Sequence, residues 1–130
     1  RSVELIRWDI TDRGFAMHLS GEVPARIAAG LADPAFARAA TGGRAPAEID
    51  GWAVHAGGRS ILDAVEHALA IDPARLLASR QVLADYGNMS SATLMFALAG
   101  LLSGPVINDG VALAFGPGLA AEGFGFRRAA

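Results

Sequence analysis

The sequence contains no cysteine and no lysine among its 130 residues. Without cysteine it can form neither a disulfide nor a thiolate metal site, and it carries no thiol nucleophile. Eleven arginines stand against thirteen acidic residues, so the net charge is −2 and no basic patch is available for nucleic acid or an anionic membrane surface. We therefore expect neither as a partner. The use of arginine alone, with abundant alanine and glycine, indicates a GC-rich bacterial gene.

Long apolar segments are also absent. The longest apolar run, residues 94–102, is interrupted by a glycine and is far shorter than the ~20 residues that span a bilayer. The chain begins with Arg-Ser-Val and without a signal peptide, so we expect a cytoplasmic protein and a start that is an internal cut in a longer one. Its length supports one core, which predicts a single domain over residues 1–130. The apolar fraction is 52% without glycine. With glycine counted and tyrosine left out it is about 63%, above the roughly 45–50% usual for that set, which indicates that part of the surface is covered by another domain or subunit.

Local patterns predict strands and helices mixed in the order ββα–βααα–ββ, typical of an α/β fold with a mixed sheet covered by helices. The helix at 92–102 is apolar on nearly every side, so we expect it to be central and buried. The first elements are a hairpin at 6–20 and an alanine-rich segment up to residue 40, which is one helix or two helices broken near Asp33-Pro34. A buried strand at 49–54 and an amphipathic helix from 61 to about 70 follow. The remaining elements are a helix from Asp72 to Gly87, with Tyr86 facing inward, and a terminal hairpin at 111–126.

Four loop features fall at strand ends or helix starts. His55 ends the buried strand, Gly57 and Gly58 precede one helix, Asn88 precedes another, and residues 115–119 form a Phe-Gly-Pro-Gly-Leu turn. Ligands of open α/β sheets gather at such places, where N–H groups attract carbonyl oxygens. If His55 and Asn88 converge, their N–H groups can stabilise one oxyanion. Each feature also has a purely structural interpretation: a hydrogen-bonded core histidine, a helix-capping asparagine and a tight turn.

A third histidine and two carboxylates form another candidate site. Asp63, Glu66 and His67 lie three and four residues apart on one predicted helix and could form a metal-binding face. No further ligand is evident in the sequence, so we favour a solvated polar stripe and predict no metal site. His18, on the less apolar side of its strand, receives no functional role.

Four motifs occur in order along the chain: Gly-Trp-Ala-Val-His-Ala-Gly-Gly at 51–58, Ile-Leu-Asp at 61–63, Tyr-Gly-Asn-Met-Ser-Ser-Ala-Thr at 86–93 and Phe-Gly-Pro-Gly-Leu at 115–119. Together they resemble the C-terminal half of the type III polyketide synthases, the chalcone synthase family. The segment from Trp8 to Pro24 matches as well, so the resemblance covers residues 6–126. Ala56 stands where the plant enzymes usually have proline, and Ala114 replaces the first glycine of the family's usual Gly-Phe-Gly-Pro-Gly loop.

The resemblance implies a thiolase-like fold of two similar halves, of which this chain is the second. In that family a cysteine of the first half is acylated by a starter acyl-CoA, and malonyl-CoA is decarboxylated and condensed onto it. His55 and Asn88 match the two catalytic residues that the family places in this half. The resemblance further assigns substrate contacts to residues of the three loops, namely Gly57, Gly58, Ser90, Phe115, Gly116, Pro117 and Gly118.

The same resemblance implies no cofactor, since CoA thioesters are themselves the substrates. The expected partners are acyl-CoA, malonyl-CoA, the missing N-terminal half and a second copy in a homodimer. Because the chain has no cysteine, we expect it to be inactive alone. Two alternatives stay open: a fragment of a condensing enzyme like ketoacyl-carrier-protein synthase III, which shares the histidine and asparagine motifs but lacks Phe-Gly-Pro-Gly, and a non-catalytic interaction module of the same fold.

Overall fold

The computed structural model describes residues 4–55 and 57–130, so Ala56 lies outside the described residues. Within these ranges five strands and five α-helices follow one another in the predicted order. They are β1 (Ile6–Thr11), β2 (Gly14–Leu19), α1 (Val23–Ala32), α2 (Pro34–Ala40), β3 (Gly51–His55), α3 (Arg59–Ala68), α4 (Leu77–Tyr86), α5 (Ser91–Leu102), β4 (Ile107–Phe115) and β5 (Ala121–Arg128). None of the helices in these ranges has the length and apolar character of a membrane span.

The predicted N-terminal hairpin is confirmed. Strands β1 and β2 are antiparallel and form a two-stranded sheet of their own. Their register places all the alternating apolar residues on one face, in the pairs Ile6 with Leu19, Trp8 with Met17, and Ile10 with Phe15. This face is exposed at the tip, where Ile10 and Phe15 are 84% and 74% exposed. The periodicity therefore predicted the strand type correctly, although the outer part of the apolar face is not covered.

The predicted mixed sheet is also confirmed, with strand order β3-β4-β5. Strands β3 and β4 are parallel, whereas β4 and β5 are antiparallel. The side chains of β3 are buried on both faces, because Trp52 and Val54 pack into one core cluster and Ala53 into the other. The carboxyl ends of the two parallel strands lie side by side, with His55 paired to Ala114. This edge is the one at which ligands bind in open α/β sheets.

Helices cover both faces of this sheet. Helices α1 and α3 contribute Ile27, Leu62 and Val65 to the larger core cluster, and α5 contributes Leu94 and Ala97 to the smaller one. The alanine-rich segment is two helices rather than one. The break falls at the predicted Asp33-Pro34 step, where the Asp33 carboxylate accepts a hydrogen bond from the N–H of Ala35 at 2.9 Å and begins α2.

Two predictions of burial are wrong. Helix α5 is only half buried: Leu94 and Ala97 face the sheet, while Met95 and Phe96 are 51% and 49% exposed. Tyr86 points outward rather than inward, is 59% exposed and packs against Phe96 with ring centroids 5.4 Å apart. The reason in both cases is that only one side of α5 meets the sheet, and α4 covers the rest of α5 only in part.

Candidate active site

A cavity of about 390 Å³ opens at the carboxyl edge of β3 and β4. Three segments meet there: the end of β3 with the loop after it, the loop between α4 and α5, and the turn between β4 and β5. The structure thus brings together loops that are more than 25 positions apart in sequence. The residues with predicted site roles that line this cavity are His55, Gly57, Asn88, Ser90, Phe115, Gly116 and Pro117.

Two residues of the predicted set do not line this cavity. Gly58 borders a separate depression between α3 and α4, together with Arg59 and Arg80. Gly118 lies within the turn with φ +72°, a left-handed conformation that glycine adopts without steric cost. Leu119 follows with φ +57°, and the turn is closed by the N–H of Gly116, which donates to the carbonyl of Ala120 at 2.9 Å. Gly118 therefore shapes the turn that presents Phe115 and Gly116 to the cavity.

His55 is held at the cavity wall as the last residue of a buried strand. Only 9% of the residue is exposed, and its Nδ1 atom is enclosed without a hydrogen-bond partner among the described residues. With Nδ1 enclosed, the tautomer that carries its proton on Nε2 is the one in which the neutral ring can donate to a ligand in the cavity. Since Nδ1 is enclosed, Nε2 is also the nitrogen that a ligand in the cavity can reach. The hydrogen-bonded core histidine considered from the sequence therefore does not match this geometry.

Burial lowers the pKa of His55 below its usual value of 6.5, because the charged ring would be poorly solvated. The unfolded chain then takes up a proton near pH 6.5 that the folded chain does not. We expect the free energy of unfolding to fall as pH drops below about 6.5, by at most about 1.4 kcal/mol per pH unit from this residue. Urea unfolding at about pH 7.5 and about pH 5.5 measures the effect. His55→Gln should reduce the pH dependence; a slope equal to that of the unsubstituted chain would contradict the assignment.

Asn88 is oriented by its own loop. Its side-chain oxygen Oδ1 accepts a hydrogen bond from the N–H of Ser90 at 2.8 Å, and the N–H of Met89 donates to the Thr93 hydroxyl at 2.9 Å. With Oδ1 engaged by the backbone, the amide nitrogen Nδ2 is the part left to act as a donor. Nδ2 lies 3.4 Å from the point that a Cβ atom at Gly57 would occupy. The amide therefore sits against the loop that immediately follows His55.

The backbone of this loop is strained at Ser90. Its φ of +59° with ψ of −139° lies in a region that side chains rarely occupy, and Gly87 before it has φ +71°. Ser90 is the residue before α5, but its side chain makes no capping hydrogen bond. Such strain persists only where the surrounding structure enforces it, and it clusters at functional sites. The loop thus holds Asn88 and Ser90 at the cavity instead of adopting a relaxed helix start.

Sequence reasoning missed the contribution of the N-terminal hairpin. Ile6, Trp8, Met17 and Leu19 line the same cavity, and Trp8 also meets Phe15 edge to face at 6.4 Å between ring centroids. The signal was present, because the alternating pattern already placed these residues on one face. The alternating pattern could not show that this face borders the cavity. Other lining residues that were not predicted are Ile61, Ser91, Ala114, Ala120 and Glu122.

The helix face considered for a metal has a different role. Arg80 of α4 forms ion pairs with Asp63 at 2.8 Å and Glu66 at 2.7 Å. The His67 ring lies 2.7 Å from the backbone carbonyl of Asp63, through its Nδ1 atom. No group of three potential metal ligands occurs in the part of the chain that the structure describes. The stripe is thus less solvated than expected, since the Glu66 side chain is only 16% exposed.

Comparison with known proteins gives one consistent result. The family model for chalcone and stilbene synthases, C-terminal domain, matches residues 1–129. Among curated proteins, bisdemethoxycurcumin synthase of Oryza sativa subsp. japonica is 47% identical over 79 residues, which cover 55% of this chain and 20% of that protein.

Solved structures agree with the family match. PKS-I of the brown alga Ectocarpus siliculosus superimposes with a TM-score of 0.87 at 29% identity, over 98% of this chain and 36% of its own. The 1,3,6,8-tetrahydroxynaphthalene synthase of Streptomyces coelicolor A3(2), a bacterial type III polyketide synthase, gives a TM-score of 0.86 at 35% identity, over 100% of this chain and 38% of its own. The chain thus spans little more than a third of the length of these structures and a fifth of the curated relative. The α/β fold is that of the C-terminal thiolase-like half of these enzymes.

Proposed function

The chain belongs to the chalcone and stilbene synthase family, as its C-terminal domain, and from this we propose that it is the C-terminal part of a type III polyketide synthase. The complete enzyme would decarboxylate malonyl-CoA and condense the product onto a starter acyl group. One observation carries the proposal beyond the family match: His55 and Asn88 line the same cavity at the edge of the sheet. The family match also favours this function over a condensing enzyme of the ketoacyl-carrier-protein type.

The two side chains supply what decarboxylation requires. When the C–C bond to the malonyl carboxylate breaks, CO₂ leaves and the electron pair becomes an enolate, with negative charge on the thioester oxygen. The Nε2–H of His55 and the Nδ2–H of Asn88 are both N–H donors, and donors preorganised around such an oxygen stabilise its charge strongly. The cavity wall is largely apolar, with Trp8, Met17 and Phe115 among its residues, which limits competition from water.

Carbon–carbon bond formation needs a second group, which this chain lacks. We propose that a cysteine thiolate of an N-terminal half attacks the starter acyl-CoA, forming an acyl thioester on the cysteine and expelling the CoA thiolate, which would take its proton from the protonated His55 ring. The enolate carbon then attacks that thioester, and the cysteine thiolate departs. Before acylation, a thiolate near His55 would form an ion pair with the protonated ring. Burial alone lowers the pKa of His55, and the thiolate would raise it again.

The exposed apolar surface supports a covering partner. The outer face of α5, with Met95 and Phe96, and the hairpin tip, with Ile10 and Phe15, leave large side chains open to solvent. Ile10 pairs with Phe15 across the hairpin and Met95 is next to Phe96, and exposed apolar side chains grouped in this way mark interaction sites in soluble proteins. We propose the nucleophile-bearing N-terminal half as the partner on the α5 side, within a cytoplasmic homodimer. The proposed substrates are acyl-CoA and malonyl-CoA, with no further cofactor, and Gly57 at the cavity wall would let the CoA arm pass close to the backbone.

A labelling experiment tests the proposal. The isolated chain, incubated with radiolabelled starter acyl-CoA and malonyl-CoA, should form no covalent acyl adduct, because it has no cysteine. The complete protein, with both halves present, should form one adduct per nucleophile and release an extended product. Mass spectrometry of the intact protein counts the adducts. A stoichiometric adduct on the isolated chain, or a complete protein that is never acylated, would contradict the assignment; the latter would favour a non-catalytic interaction module.

A further inference from the structure

The cavity depends on a contact between two loops that approach each other from different helices. Asn88 follows α4, and its Nδ2 atom lies against Gly57, which precedes α3. The covalent connection between the two helices, residues 69–76, is at their other ends. A small change in how α3 and α4 lie against each other would therefore move Asn88 relative to His55. The interactions that join these two helices set the geometry of the site.

Two consecutive residues of α4 hold this helix in place, one against strand β3 and the other against α3. Ser79 is fully buried, and its hydroxyl accepts a hydrogen bond from the N–H of Val54 at 2.9 Å, which fixes α4 against β3 one residue before His55. Arg80, the next residue, contacts α3 instead. Its Nη2 atom lies 2.8 Å from an oxygen of Asp63 and 2.7 Å from an oxygen of Glu66, both on α3.

The Arg80 cluster is more than a surface ion pair. The side chains of Arg80 and Glu66 are 26% and 16% exposed, so water screens them only partly. The hydrogen bond to Glu66 raises the pKa of Arg80 above its usual value. Without the guanidinium, the carboxylates of Asp63 and Glu66 would face each other one helical turn apart with no cation between them. Loss of Arg80 would remove the ion pairs that join α4 to α3 and leave the Glu66 carboxylate, 16% exposed, without its cation, so the contact between the two helices would loosen.

We propose that Arg80 is a positioning residue: by joining α4 to Asp63 and Glu66 of α3 it holds Asn88 against Gly57, and thereby in reach of the ligand that His55 binds. The significance for catalysis rests on the proposed function, but the geometry can be measured without any reaction. A misplacement of about 1 Å in such a site costs up to about 100-fold in rate. Arg80 touches no reacting atom in this scheme and acts only through Asn88.

The chain offers a matched control. Arg44 forms an ion pair with Asp109 at 3.1 Å, and its side chain is 27% exposed, almost the same as Arg80. It joins the segment after α2 to β4, away from the cavity. Arg44 also donates hydrogen bonds to the carbonyls of Thr41 and Gly110, so its loss should lower stability without moving Asn88.

Nuclear magnetic resonance of the 130-residue chain tests the proposal. The readout is the nuclear Overhauser effect between the side-chain amide protons of Asn88 and the α-protons of Gly57, in R80Q, R80K, D63N and R44Q. We expect R80Q to lose most of this signal, R80K and D63N to keep part of it, and R44Q to keep all of it. Wild-type signal in R80Q, or equal loss in R44Q, would overturn the proposal. If R80Q does not fold, wild-type signal in both R80K and D63N overturns it.

The kinetic counterpart uses the complete synthase. R80Q should lower kcat for malonyl-CoA decarboxylation by about 10- to 100-fold while KM stays within about two-fold, with partial rescue in R80K. A raised KM with unchanged kcat would contradict a positioning role. Absence of decarboxylation by the wild-type enzyme would contradict the proposed function, and the Overhauser comparison would still decide the role of Arg80.

Discussion

Replacing either His55 or Asn88 in the complete synthase should slow malonyl-CoA decarboxylation by about 100- to 1,000-fold, the usual cost of removing one preorganised donor to an oxyanion. For Asn88 the sharper variant is Asn88→Asp. A carboxylate keeps the oxygen that accepts the hydrogen bond from Ser90, so the loop is preserved, while the amide donor is replaced by a negative charge that repels the enolate. For His55 the variant is His55→Ala. The release of labelled CO₂ from malonyl-CoA measures the rate.

The controls for this prediction come from the same chain. His18 lies on the exposed hairpin outside the cavity, and Asn108 bonds to Asp50 at the far end of β4. His18→Ala and Asn108→Ala should keep rates close to wild type. The double variant of His55 and Asn88 should be less impaired than the product of the two single effects, because both donors act on one oxygen. Near-wild-type rates in the single variants would remove both residues from the mechanism.

A second large effect is expected at Gly123, where alanine should lower the free energy of unfolding by about 3 kcal/mol. A Cβ atom at this position would lie 2.7 Å from the backbone carbonyl oxygen of Ala112 and 3.7 Å from that of Ala40. Backbone atoms on both sides cannot move aside as a flexible side chain can, so β5 itself must shift. For a chain of this size the loss corresponds to a melting temperature lower by about 10 °C, which circular dichroism measures.

The shift of β5 should also reach the cavity. Strand β5 follows the turn that carries Phe115 and Gly116, and its second residue, Glu122, lines the cavity wall. Gly21→Ala is the control, because no described atom lies within 4 Å of a Cβ there and the position has no left-handed φ. It should leave the melting temperature unchanged. A Gly123→Ala protein as stable as Gly21→Ala would show that the sheet can absorb the extra carbon.

Much of the fold could be predicted from local sequence because local chemistry determines it. Alternating apolar residues defined β1 and β2, the Asp33-Pro34 step divided two helices, and a short continuous apolar run marked β3 as buried on both faces. These features depend on the covalent geometry and polarity of neighbouring residues.

Burial and proximity were harder to predict. Composition predicted a central α5, but burial depends on what covers each side of a helix, and only one side meets the sheet. The hairpin pattern identified a face with Trp8 and Met17 but not the cavity that this face borders. Asp63 and Glu66 were interpreted as a polar stripe because their partner, Arg80, is 14 or more residues away in sequence.

The sequence by itself determined the order of elements, the residue types at the strand ends and the absence of a thiol nucleophile, since each follows from local pattern or composition. Only the tertiary structure decided that the loops after β3 and α4 share one cavity and that Asn88 presents its nitrogen beside Gly57. The physical reason is that such contacts join segments far apart in the chain. Their geometry is set by packing and by partly buried ion pairs, neither of which leaves a local signature.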